Sequence, residues 1–186
     1  SLANSEFLVI ADLDAGQREA RIFAAVPLTS DELDRHFGEA IQDVLRVYWD
    51  EREQAVLARR QRRLGELILS DAAARNPDPA QLALAMLEGV RSMGLDALPW
   101  TAVLRQWQAR VLFSRTAQPD ATPAWPDVSD AALLTTLDDW LLPWLEGIAR
   151  RTHLARLDLR TALHGLLNWQ QQQHLDAFAP THLEVP

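Results

Sequence analysis

The sequence predicts an α+β protein, strand-rich over about its first 75 residues and helical after that. Three observations carry this. In FLVIADLD, EARIFAAVPL and DVLRVYWD apolar residues gather at strand length or alternate at period two, which suits half-buried strands. Beyond Asn76-Pro77-Asp78-Pro79 the apolar residues return instead at three- and four-residue steps, the spacing of a helix face. Strands first and helices second, without interleaving, is the order of an α+β chain.

FLVIADLD is followed by the turn formers Asp14-Ala15-Gly16-Gln17, and EARIFAAVPL puts Ala20, Ile22, Ala24 and Val26 on one face. Together they predict a hairpin. A short helix is expected next, capped by Thr29 or Ser30, with Asp31 and Glu32 in its first turn, where the helix dipole favours acids. DVLRVYWD then reads as a strand, and DEREQ as the turn into VLARRQRRLGELILS. As a helix, that last stretch would hold Gly65 in its interior at about 1 kcal/mol relative to Ala. As one long strand it pairs with VLRVYWD, and Gly65 marks a bulge or bend. The strand reading is preferred.

In the second part, Leu82, Met86, Val90 and Met93 share a helical face that ends at Gly94, a suitable C-cap. Val103, Trp107, Arg110 and Val111 continue the pattern after LPW. QPDATPAWPD is a connection, and Ser129 caps a helix with the stripe Leu133, Leu137, Trp140, Leu141 and Trp144. Pro143 should kink or end that helix. One or two more helices follow, with Asp158 as an N-cap, and THLEVP reads as the start of a strand. The expected divisions are 5–75 strand-rich, 76–178 helical, and 179–186 opening a further strand region.

Composition narrows the function. The 186 residues hold 48% hydrophobic and 24% charged side chains, the balance of a globular chain. No apolar run approaches the ~20 residues of a membrane helix, and SLANSEF lacks a signal-peptide pattern. A cytoplasmic protein without membrane contact is expected. There is no cysteine, hence neither a disulfide framework nor a thiolate metal site. All 18 basic residues are arginine. A P-loop needs a lysine on the nucleotide phosphates, and so does a protein kinase; neither can be present.

No catalytic constellation stands out. His153, His164 and His174 are 11 and 10 residues apart with no HExxH, so they read as surface or capping histidines, and no metal site is expected. There is no GxSxG, and Asp138-Asp139 are adjacent, which points them apart on a helix. Trp107, Trp140 and Trp144 belong to apolar stripes and read as core. Trp100 and Trp125 stand beside prolines, where they plug gaps between helices.

The charge distribution is less ordinary. Arg59, Arg60, Arg62 and Arg63 fall within five residues, so 56–63 carry +4 and the rest of a chain of net −8 carries −12. On a strand Arg60 and Arg62 face one side, Arg59 and Arg63 the other. Three readings stay open: a solvated edge that resists aggregation, salt bridges to the acidic remainder, or contact with phosphate, which the guanidinium fork matches. Trp49, at the end of the preceding strand, could add the aromatic stacking that nucleic-acid-binding barrels pair with a basic groove.

Five blocks, in order, carry a resemblance: LVIADLD with EARI, VYWDEREQAVLARRQRRLGELILS, GLDALPW, WPDVSDAALLTTLDDWLLPWL, and LARLDLRTALHGLLNW with LDAFAPTHLEVP. From about Phe7 to the last residue the chain resembles bacterial HrpB-type ATP-dependent helicases of the DEAH/DExH-box group of superfamily 2, in the region after their two RecA-like motor domains. The resemblance implies an excised, accessory C-terminal fragment, not catalytic by itself. It implies strands of an OB-like antiparallel β-barrel, then a mainly helical bundle. ATP and Mg would belong to the motor domains of the parent, with no cofactor in this fragment. The expected partners are single-stranded nucleic acid, RNA before DNA, and those motor domains. Arg59, Arg60, Arg62 and Arg63, with Trp49, would then face the nucleic-acid channel or dock against the motor. The competing expectation is a protein-interaction module that binds a regulator or subunit through its helices.

Overall fold

In the computed structural model, residues 7–14 and 21–178 are described. They divide into two compact units. The first runs to Leu45 and takes in Arg59–Ala72; the second holds Arg46–Ala58 and everything from Ala73 on.

In the first unit β1 (Phe7–Asp14) pairs antiparallel with β2 (Arg21–Leu28), with Val9 opposite Val26 and an irregularity between Ile10 and Leu13. The turn expected at 14–17 lies largely outside the described residues. Helix α1 (Ser30–Phe37) starts at Thr29, which forms a capping box with Glu32: each side chain bonds the other's backbone N–H. These bonds hold the Glu32 carboxyl below its ordinary pKa. Glu32 thus does what its position predicts.

β3 (Ile41–Asp50), β4 (Ala55–Leu64) and β5 (Leu67–Ala73) form a second sheet in that order. VLARRQRRLGELILS is therefore extended, as expected, but it is a hairpin and not one bent strand. Gly65, at φ +59°, takes the first place of a two-residue turn, where only glycine reaches positive φ without strain.

The OB-like barrel is not formed. The described strands make two open sheets, β1-β2 and β3-β4-β5, whereas closure demands an unbroken ladder with matched stagger. The physical reason lies in β3 and β4. Their ends, 46–50 and 55–58, belong to the helical unit, where Val47, Trp49 and Val56 pack on its apolar core.

That second unit bears out the helical reading. Its helices are α2 (Pro79–Met93), α3 (Ala102–Ala117), α4 (Asp130–Thr135), α5 (Leu137–Trp140), α6 (Leu159–His164) and α7 (Trp169–Phe178), with 3-10 turns between several of them. Thr101, Ser129 and Asp158 cap α3, α4 and α6 through their side chains. Met86, Leu87, Val90, Trp107, Val111, Leu137, Trp140 and Leu163 are buried in one cluster. Each leucine so buried contributes about 1.5–3 kcal/mol of transfer free energy. The segment at 149–151 joins the edge of β4, with Val56 N–H donating to the Ala149 carbonyl at 2.8 Å.

Two stripe residues do not reach the core. Val103 is 70% and Trp144 39% exposed, because helical period fixes a face without fixing how far the neighbouring elements extend over it. Pro143 ends the helix, as expected, in a 3-10 turn that carries Trp144. Trp125 is buried, and its indole N–H donates to Gln118 Oε1 at 3.0 Å. Trp100 donates to the Leu95 carbonyl at 2.9 Å and lies under the Arg105 guanidinium. THLEVP lies outside the described residues.

Candidate nucleic-acid interface

β4 presents the four arginines from one strand, and three of them are already paired. Arg59 Nε donates to Asp71 Oδ1 at 2.8 Å. Arg62 bonds Asp34, which together with the more distant Asp43 raises its pKa above the ordinary arginine value. Arg63 meets Glu66 across the turn at 3.4 Å. Arg60 is exposed and makes no ion pair among the described residues.

Gln61, between the arginines, is only 5% exposed. Its amide donates to Asp71 Oδ2 at 3.1 Å, so that Asp71 serves Arg59 with one oxygen and Gln61 with the other. The acids Asp34, Asp43, Glu66 and Asp71 surround the four arginines and bring the local charge near zero. The chain's most concentrated positive run is thus largely offset by its own carboxylates, and Arg60 is the charge left facing solvent.

Side-chain exposures of 34–47% at the Arg59–Asp71 and Arg62–Asp34 pairs keep both in contact with water. Pairs in such a setting contribute little net stability. An arginine can therefore exchange its carboxylate for a phosphate at small cost, since both anions fit the same fork.

Trp49 sits near the end of β3. Its indole lies against Gly89 of α2, where a methyl group would come within 2.5–3.0 Å of three ring atoms. The ring packs on the helical core, partly buried. The pairing acids were missed in the sequence, although a hairpin centred on Gly65 would have brought Asp71 close to Arg59 and set Glu66 beside Arg63.

Elsewhere, His164 stacks on Trp107 with ring centroids 5.1 Å apart, a packing role beyond surface or capping histidine. Among the described residues no group of histidines and acids could hold a metal ion, and no helix is long and apolar enough to cross a membrane.

Two family models match the chain: the connector region of ATP-dependent RNA helicase HrpB over residues 40–74, and the ATP-dependent helicase C-terminal region over 140–186. The ATP-dependent RNA helicase HrpB of Escherichia coli K12 is 35% identical over 188 residues, covering 100% of this chain. This chain spans 23% of that relative's length. Among solved structures, the E. coli DExH-box NTPase HrpB matches all of the chain at 35% identity with TM-score 0.58, over 23% of its own length. The E. coli DEAH/RHA helicase HrpB matches 96% at 32% identity with TM-score 0.57, over 22% of its length.

Proposed function

Because this chain belongs to the HrpB family, as its connector and C-terminal region, we propose that it guides single-stranded RNA and braces the motor domains of a cytoplasmic ATP-dependent helicase. ATP and Mg bind in those motor domains, and this region contributes no bond-making group. The observation that carries the reading is Arg60, exposed on β4 with no ion pair among the described residues. Around it stand three arginines in pairs that water reaches. A passing phosphate meets one available guanidinium and can recruit the others by exchange. The acidic remainder keeps the region from adhering to nucleic acid at random, so binding is weak until the motor delivers the strand. Trp49 contributes by fixing the end of β3 against Gly89. Leu8, Val9, Ile10 and Val26, exposed on the β1-β2 hairpin, supply apolar surface for docking to the motor.

The test is RNA-stimulated ATP hydrolysis by full-length HrpB carrying the equivalent of Arg60→Glu. The KM for RNA should rise about 10-fold, the worth of one charge-assisted hydrogen bond, with hydrolysis in the absence of RNA unchanged. An unchanged KM for RNA would remove Arg60 from the strand path.

A second reading is a protein-interaction module. It is favoured by a shallow groove of about 500 Å³ lined by Ala83, Leu84, Leu142 and Pro143, with Leu84 48% exposed. Substituting Leu84→Glu tests it, since loss of a subunit without any change in RNA dependence would favour this reading over a strand guide.

A further inference from the structure

The groove between the start of α2 and the 3-10 turn at Leu142–Trp144 is apolar with an acidic margin. Six of its eight lining residues are apolar, and the other two are Asp78 and Glu146, so no cation lines it. Both walls are stiff. Pro79 stands in the first turn of α2 and Pro143 in the 3-10 turn, and a proline ring fixes φ. Leu141 and Leu145, on either side of that turn, are fully buried in the core. The groove is therefore formed before a partner arrives, which lowers the entropy lost on docking.

The charges select the kind of partner. Asp78 is partly committed, because it caps α2 by accepting from the Ala80 N–H at 3.2 Å. Glu146 is exposed and takes part in no hydrogen bond or ion pair among the described residues. Arg91, the basic residue of α2, lies outside the lining and is already held between Glu88 and Asp138. Nucleic acid would meet carboxylates here, and a second copy of this chain, at net −8, would add repulsion. A basic segment gains on both counts. Its cation can reach Glu146 while an apolar side chain covers Leu84, Leu142 and Pro143. The shallow form, about 500 Å³ in volume, suits a polypeptide laid across it more than a small molecule enclosed by it. We infer that this groove docks a basic amphipathic segment of a partner protein, with a large apolar side chain against Leu84 and Pro143 and a lysine or arginine at Glu146. The inference rests on the protein-interaction reading of this groove and leaves the role of β4 untouched.

The test is peptide selection on the 186-residue chain. A display library of random peptides about three helical turns long is selected on the wild type and counter-selected on Leu84→Glu. That variant removes the apolar anchor and adds a carboxylate, so peptides held by charge alone are discarded. The survivors should pair a leucine, isoleucine, methionine or phenylalanine with flanking lysine or arginine. Calorimetry with the best of them should show affinity about 10-fold weaker in Glu146→Gln, the loss of one charge-assisted contact. Glu39→Gln, at an exposed acid outside the helical unit, should leave binding intact. Melting curves should not change, since Leu84 and Glu146 are both exposed. Survivors that are neutral or acidic, or binding indifferent to Glu146→Gln, overturn the inference while the groove remains a docking site. An absence of survivors overturns the inference and removes the support for the protein-interaction reading as well.

Discussion

Gly89 of α2 stands so close to the Trp49 indole that a Cβ placed there would lie 2.5 Å from Trp49 Cδ2 and 2.6 Å from Cε3. A glycine inside a helix normally costs stability. Here it admits an aromatic ring from the end of β3, which packs on the helical core beside Val47.

Gly89→Ala should therefore destabilise the chain, although alanine is the better helix former. The intrinsic gain is about 1 kcal/mol, while forcing a methyl group into an occupied ring costs about 1–3 kcal/mol. Urea unfolding of Gly89→Ala, Trp49→Ala and the double variant measures the coupling. The double variant should lose less than the two single losses added together. A more stable Gly89→Ala would mean that the ring is free to move away.

Gln108 is the hinge of a polar cluster inside the helices. It is 7% exposed and donates to the Val128 carbonyl and to Asp130 Oδ1, both at 2.7 Å. Arg105 also reaches Asp130, at 2.8 Å. The Gln108 bond, then Arg105, hold the Asp130 carboxyl below its ordinary pKa. A depressed carboxyl adds stability that is present above the unfolded value, near 3.9, and is lost as pH falls through the folded value. Gln108→Leu should cost about 2 kcal/mol at pH 7. It should also flatten the stability loss on acidification below about pH 4. Parallel pH profiles in wild type and variant would contradict this assignment.

The β4 cluster separates a structural acid from a free base. Asp71→Ala removes the partner of both Arg59 and the buried Gln61 amide, and should cost about 1–3 kcal/mol. Arg60→Ala touches no described partner and should stay within about 0.5 kcal/mol of wild type. Denaturant midpoints measure both. Equal losses would mean that Arg60 is held by the fold and is not available to phosphate.

Substituting Leu137→Ala, at a fully buried position that opens α5, should cost about 2–5 kcal/mol. Calorimetric unfolding gives the value. A loss below about 1 kcal/mol would show that the site refills when the leucine is cut back.

Much of the fold was legible because it is local. Thr29, Ser129 and Asp158 cap the helices they were expected to cap, Gly94 ends α2, and Pro143 ends the helix it interrupts. What failed was set by distant partners. Gly65 was read as a bend in one strand, since a single glycine fits a bulge as well as a hairpin turn. Val103 and Trp144 lie on apolar stripes and yet are exposed, because a stripe does not say where its neighbour stops. The barrel was implied by the family resemblance, but the ends of β3 and β4 are taken by the helical core. The arginines were visible as a run, while Asp34 and Asp43 come from outside the hairpin that carries them, and the seat of Trp49 is a glycine 40 residues away. The comparisons with known proteins agree with the family read from five sequence blocks.

The most direct measurement is a titration of labelled single-stranded RNA with this chain at several salt concentrations, in wild type, Arg60→Ala, and a variant with Arg59, Arg60, Arg62 and Arg63 all changed to Ala. A strand guide on β4 predicts weak, salt-dependent binding whose logarithmic slope falls by about 0.7 for each phosphate contact removed. Arg60→Ala should account for the first step, and the quadruple variant should lose the remainder of the β4 contribution. A slope unchanged by all four substitutions, with the variants folded, would contradict it and leave the arginines as partners of Asp34, Glu66 and Asp71 alone.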